Sequence, residues 1–261
     1  ISSLYLNDGN GNFSTDSNTV IEELAFGDIV FNDLDNDGDK DLFFLGYIYN
    51  ESLERATSQY LNDGNGNFSF MPSNFNVFDS ERSTAIAFAD IDNDNDNDLI
   101  LAGDSMEGQR VTQLFTNDGF GNFELVDNTP FENVFNGSIA FADIDNDNDQ
   151  DVIISGTNSV FEKIANLYIN NGVGDYTLEE GLPFAKVSSS DIKFADVDND
   201  NKLDVLIIGW DGTRKTSKLY KNTSILNIDE NIIPSKNSLY PNPTTGKISF
   251  SNFQNASIFI A

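Results

Sequence analysis

Four stretches of the chain set aspartates at alternate positions: "DLDNDGDKD" from Asp33, "DIDNDNDND" from Asp90, "DIDNDNDQD" from Asp143 and "DVDNDNKLD" from Asp196. Counted from the first aspartate, positions one, three, five and nine are aspartate in every copy. They are Asp33, Asp35, Asp37 and Asp41; Asp90, Asp92, Asp94 and Asp98; Asp143, Asp145, Asp147 and Asp151; and Asp196, Asp198, Asp200 and Asp204. Carboxylates at ~5 Å repel by roughly 3 kcal/mol per pair at an effective dielectric near 20. A bound dication reverses that sign. Calcium takes six to eight oxygen ligands, which such a loop supplies. The expectation is one calcium ion per loop, about four in all.

Position seven is Asp39, Asp96, Asp149 and Lys202. A lysine fits a ligand position only where the backbone carbonyl coordinates, as at position seven of known calcium loops. All four residues are therefore included in the expected metal set, the last through its main chain. Position six is Gly38, Asn95, Asn148 or Asn201, residue types that readily enter the left-handed region of a tight turn. An EF-hand is excluded, because it needs helices on both sides and a glutamate at position twelve. Here that position is Phe44, Leu101, Ile154 or Ile207. Magnesium fits less well, since it keeps several waters and rarely fills an all-protein cage.

The bulk composition agrees with cation binding. The chain has 261 residues, with 14 basic against 43 acidic and a formal charge of −29. A basic footprint for nucleic acid is absent. With no histidine and no cysteine, imidazole acid–base chemistry, disulfides and thiolate metal sites are excluded. No apolar run approaches the ~20 residues that span a bilayer. The chain opens at Ile1 in mid-pattern, which reads as a fragment or a processed form.

The elements that position the loops follow from their flanks. Each loop lies between an apolar run ending in phenylalanine (Phe31, Phe88, Phe141, Phe194) and a second apolar run such as Leu99–Ala102. The second run's continuous apolarity predicts a strand buried on both faces. In phase with the loops come "YLNDGNGNF" at 5–13 and 60–68, "FTNDGFGNF" at 115–123 and "YINNGVGDY" at 168–176, with a decayed "YKNTS" at Tyr220. Their glycines mark tight hairpins. Two patterns on one period of about fifty-five residues denote a repeat architecture. Four short antiparallel strands per repeat predict an all-β fold of β-propeller blades, a partial propeller. A parallel β-helix ranks second, and a generic β-sandwich leaves the fixed phase of loop and hairpin unexplained.

Together, D-x-D-x-D-G-x-x-D between strands and L-Y-x-N-x-G-x-G-x-F resemble the FG-GAP/VCBS repeat of integrin-α-like propellers, over residues 1–222. The resemblance implies a calcium-stabilised extracellular propeller, often an adhesion or ligand-recognition module. Residues 223–237 read as a linker. From 238 to 261, "SLYPNPTTGKISFSNFQNASIFIA" is similar to the opening of a type A C-terminal sorting domain of the type IX secretion system of Bacteroidota, here truncated. That similarity implies handling by the type IX machinery, and a secreted or outer-membrane-anchored location.

The functional expectation is a non-catalytic module recognising an extracellular glycan or protein. The alternative is an accessory propeller of a secreted polysaccharide-degrading enzyme. A lyase-type enzyme ranks last, with Arg110, Lys163, Arg214 or Tyr49 as residues that could serve it. The acidic loops and glycine hairpins are expected on one rim. Tyr47, Tyr49, Phe75, Phe78, Met106, Phe131, Phe135 and Trp210 are the aromatic and soft residues expected on the opposite, ligand-facing rim.

Overall fold

A computed structural model of the chain describes residues 3–16, 21, 24–48, 54–72, 75, 78–79, 84–105, 109–223, 246–249 and 257–260. Every regular element among them is a β-strand. Among the described residues no helix is long and apolar enough to cross a membrane. A hairpin comes first, β1 (Tyr5–Asn7) with β2 (Phe13–Thr15). Blade one is β3 (Leu24–Asn32), β4 (Asp41–Ile48), β5 (Glu54–Asn62) and β6 (Phe68–Met71). In blade two the first strand is split into β7 (Phe78–Asp79) and β8 (Ala85–Ala89), which both pair with β9 (Asp98–Ser105). β10 (Arg110–Asn117) and β11 (Phe123–Leu125) complete it.

Blade three is β12 (Val134–Ala142), β13 (Asp151–Asn158), β14 (Lys163–Asn170) and β15 (Tyr176–Glu179). Blade four is β16 (Ser188–Ala195), β17 (Asp204–Trp210) and β18 (Lys215–Asn222), to which β20 (Ser257–Ile260) and then β19 (Gly246–Ser249) are added. All pairings are antiparallel. In blade three Asn170 pairs with Tyr176, and in blade four Asn222 pairs with Ile258. The last blade lacks a glycine hairpin, and the C-terminal segment takes the fourth strand's register. The remainder of the expected linker and sorting-domain segment, 224–245 and 250–256, lies outside the described residues.

The second strands are buried on both faces, as their apolar runs predict. Leu99 and Leu101 of β9 pack with Leu34, Phe43 and Leu45 of blade one. Ile100 and Ala102 face the other way, onto Val152 and Ile154 of blade three. Ile153 in turn joins Val205 and Ile207 of blade four. Period-two alternation thus feeds two junctions from one strand. Each fully buried Leu or Ile contributes about 1.5–3 kcal/mol. The inner strands β3, β8, β12 and β16 contact one another in that order. Burial raises the Asp28 carboxyl on β3, and the Lys193 ammonium on β16 opposes that rise. Among the described residues the blades follow in chain order without closing a ring.

Candidate metal centres

The four acidic loops share one scaffold. Position-one carboxylates accept N–H bonds from position six at 3.1 Å in the first three loops (Gly38 to Asp33, Asn95 to Asp90, Asn148 to Asp143) and at 2.9 Å in the fourth (Asn201 to Asp196). Position-five carboxylates accept from position seven, for example Asp149 N–H to Asp147 Oδ1 at 3.0 Å. Position six has positive φ in every copy, from 64° at Asn201 to 93° at Gly38, as expected. So does position four, occupied by Asn36, Asn93, Asn146 and Asn199 at φ 60–64°. The sequence signal for that second left-handed residue was its identity in all four copies.

Carboxylate oxygens converge within 4.8 Å of one another in each loop. They come from Asp33, Asp35 and Asp37; Asp90, Asp92 and Asp94; Asp143, Asp145 and Asp151; and Asp196, Asp198 and Asp204. Asp147 and Asp200 at position five, and Asp41 and Asp98 at position nine, lie outside these tight groups. Position-three Oδ1 atoms of Asp35, Asp92 and Asp145 are shut off from solvent and accept no hydrogen bond. A buried carboxylate oxygen without a donor is costly. Burial, then neighbouring carboxylates, push Asp35 and Asp92 up and raise Asp145 to about 6. Hard oxygen donors and unpartnered buried atoms fit a hard divalent cation.

Position nine has a second task. Asp41, Asp98, Asp151 and Asp204 are almost wholly buried. Each accepts two backbone N–H bonds: Asp98 from Ile91 (3.0 Å) and Asn117 (2.8 Å), Asp151 from Ile144 (3.0 Å) and Asn170 (2.9 Å). Asp41 does the same with Leu34 and Asn62, and Asp204 with Val197 and Asn222. One carboxylate thus pins its own loop to the end of the third strand. The asparagine there extends the tie between blades. Asn117 Nδ2 donates to the Leu34 carbonyl (2.9 Å), Asn170 Nδ2 to Ile91 (2.7 Å) and Asn222 Nδ2 to Ile144 (2.7 Å). This clasp ties the second, third and fourth blades each to the loop before it.

Position-seven side chains lie over the hairpins. A Cβ at Gly172 (φ 80°) would stand 2.6 Å from Asp149 Oδ2, and one at Gly119 would stand 2.7 Å from Asp96 Oδ2. Asp149 Oδ1 also accepts from Asn93 Nδ2 of the previous loop at 3.0 Å. The expected rim is therefore real: acidic loops and glycine hairpins touch. Gly172→Ala is expected to cost about 2–4 kcal/mol, combining left-handed strain with displacement of Asp149. Gly181→Ala, at φ 82° with open space around it, should cost only the conformational part, about 1 kcal/mol. Urea unfolding of the two variants measures the difference, and equal losses would remove the steric argument.

The fourth loop differs in charge. Lys202 Nζ pairs with Asp200 Oδ2 at 3.4 Å, and Lys221 Nζ with Asp198 Oδ2 at 3.2 Å. Of the residues left for catalysis, Arg110 lies over the Phe135 ring (4.3 Å) and the Phe161 ring (4.1 Å), and Arg214 pairs with Asp211 at 3.4 Å. The expected recognition aromatics divide. Phe131 and Phe135 are buried, and Phe75 packs edge-on to Phe43 and Phe115 between blades one and two. That corrects the surface expectation for these three, because inter-blade seams consume large rings first. Trp210 is exposed. Tyr49 and Met106 lie outside the described residues, as do the side chains of Tyr47 and Phe78.

Burial raises Asp98 to about 6 and Asp151 to about 7, against 3.8 for an ordinary aspartate. The folded, metal-free protein thus binds more protons than the unfolded chain between pH 3.8 and 7. Its stability should rise as pH falls through that window. Thermal melts in chelator across pH 4.5–7.5 test this, and a midpoint rising with pH would contradict it.

A sequence model described as the FG-GAP-like repeat matches residues 33–101 and again 90–154. These ranges contain the first three acidic loops, the strands on both sides of the second, and the start of the strand after the third. No similarity to a curated protein was found.

Proposed function

We propose that this chain is a non-catalytic, calcium-stabilised extracellular propeller module that recognises a glycan or protein. The observation that carries the reading is the convergence of carboxylates in all four loops, with unpartnered buried oxygens in the first three. In each loop the carboxylates at positions one, three, five and nine would hold calcium, joined by the position-seven carbonyl of Asp39, Asp96, Asp149 or Lys202. Calcium supplies charge neutralisation and cross-links the loop. The extracellular setting is supported by the FG-GAP-like repeats, which are typical of extracellular propellers, and by the similarity of "LYPNPTTGKISF" to a type IX sorting sequence. Millimolar external calcium fills even weak sites.

Calorimetric titration of chelator-treated protein should give close to four ions, three tighter than the fourth. The two lysines beside Asp198 and Asp200 compete with the metal, so Lys221→Gln should strengthen the fourth site about twofold to tenfold. Stoichiometry near zero would sink the calcium reading. Bound calcium should also reverse the pH trend, because protons and metal compete for one set of carboxylates. Recognition is tested on a glycan and matrix-protein array, comparing Trp210→Ala with Asn12→Ala on the hairpin rim. Loss of binding only in the hairpin variant would place the ligand on the opposite rim from the one proposed. The accessory role beside a polysaccharide-degrading enzyme remains the second reading, supported by the same exposed aromatic.

A further inference from the structure

The turn between β13 and β14 presents two large apolar side chains to solvent, Phe161 at 74% and Val160 at 71% exposure. Blade three is covered on both sides, by Ile100 of blade two and by Val205 and Ile207 of blade four. The exposure therefore belongs to the turn and not to an end of the blade series. As a connection from second to third strand, the turn lies on the rim opposite the acidic loops.

Phe161 has φ 66°, and every other described non-glycine residue with positive φ is an asparagine or Ser189. A bulky aromatic residue is strained there, because its Cβ crowds the next carbonyl. Strain held at an exposed position points to a use other than packing. Blade four builds its turn without it. Asp211 stands at loop position sixteen there, as Asn158 does in blade three. Asp211 Oδ1 accepts from the N–H groups of Thr213 (2.8 Å) and Arg214 (2.9 Å), and the positive φ falls on Gly212. Asn158 Oδ1 accepts in the same way from Val160 (3.1 Å) and Glu162 (2.8 Å). One device supports both turns, with a polar tip in one and Val160–Phe161 in the other.

The ring is also held in plane. The Arg110 guanidinium of blade two lies 4.1 Å from the Phe161 centroid and 4.3 Å from that of buried Phe135, and it donates to the Asn158 carbonyl. Asn158 Nδ2 donates in turn to Glu132. One face of Phe161 is thus covered by the guanidinium, and the other is open to solvent.

We propose that the open face of Phe161, widened by Val160, is a stacking platform for a neutral pyranose ring of a glycan. The proposal rests on the recognition reading above and names its site and ligand class. An anchor that plugs a pocket of another protein buries both faces of its ring, and here one face is already taken. A ring open on one side suits a flat ligand laid against it. A pyranose offers such a face, with C–H groups that meet the negative π surface. Ser159 and Glu162, both exposed on the same turn, supply hydrogen-bonding groups for the hydroxyls around it. Nucleobases are flat too, but a formal charge of −29 repels their phosphates. The same repulsion favours a neutral sugar over an acidic one.

Isothermal titration of the calcium-loaded full chain with cellohexaose, laminarihexaose and mannohexaose reads the outcome, and at least one is expected to bind. Phe161→Gly should weaken that binding at least about tenfold, as for loss of one ring-stacking contact. Its melting temperature should be unchanged or higher, since glycine takes positive φ without strain. Phe161→Tyr keeps the ring face and should stay within about threefold of wild type. A lower melting temperature with unchanged binding in Phe161→Gly would make Phe161 a packing residue and overturn the proposal. So would failure of all three sugars to bind the wild type, or binding lost in Trp210→Ala and kept in Phe161→Gly. A matrix protein bound through Phe161 with no sugar bound would also overturn it, while leaving the recognition reading intact. That broader reading fails only when the array yields no ligand of either kind.

Discussion

Adding calcium to the chelator-treated protein is expected to raise its melting temperature by about 15–30 °C. A site held at ~100 times its dissociation constant adds about 2.7 kcal/mol when the unfolded chain does not bind. The first three loops then supply roughly 8 kcal/mol, and ~2–4 °C follows from each kcal/mol in a chain of this size. The unfolded chain competes poorly, because in the folded loops positions four and six hold the left-handed turn that brings the oxygens together. Before metal binds, those oxygens repel one another and Asp35, Asp92 and Asp145 each hold an unpartnered buried atom. The gain is therefore both attraction and relief. Differential scanning fluorimetry with stepped free calcium checks it, with magnesium as the control. A midpoint that does not move with calcium, or moves equally with magnesium, would refute the calcium assignment.

Asp151→Ala is expected to destabilise the calcium-loaded protein by about 2–5 kcal/mol more than Asp147→Ala. Both remove one carboxylate from the third loop. Only Asp151 also accepts the N–H groups of Ile144 and Asn170. Each buried donor left without an acceptor costs about 1–3 kcal/mol. Loss of the Asn170 position also loosens the clasp to Ile91 of blade two. Asp151→Asn keeps one side-chain oxygen as an acceptor and should recover part of the loss. Denaturant unfolding in saturating calcium gives the comparison. If Asp147→Ala cost as much as Asp151→Ala, position nine would be a metal ligand and nothing more.

These two experiments separate roles that the sequence merged. Four aspartates at fixed spacing read as one cage, since spacing reports reach and not direction. The structure instead gives position nine a staple between loop and third strand, and lays the position-seven side chains over hairpin glycines Gly64, Gly119 and Gly172. The repeat itself marked these positions, because Asn117, Asn170 and Asn222 hold equivalent places. What it could not mark was that their amides cross to another blade, at Leu34, Ile91 and Ile144. Those partners are about eighty residues away, and no local pattern encodes a contact between repeats.

The strands, the period, the hairpins and the acidic loops were determined by the sequence alone. Each rests on a local rule: alternation for strands, glycine for positive φ, and like charges that need a cation. Tertiary structure decided which apolar side chains are core and which are surface. Phe131 and Trp210 both read as aromatics on the variable rim, yet one is buried at a seam and the other exposed at an end. Ile153 and Leu206 hold the same position of the repeat, yet Ile153 packs against the neighbouring blade and Leu206 is exposed among the described residues. Burial is a property of neighbours, and a residue's neighbours across a junction are set by how the blades stack.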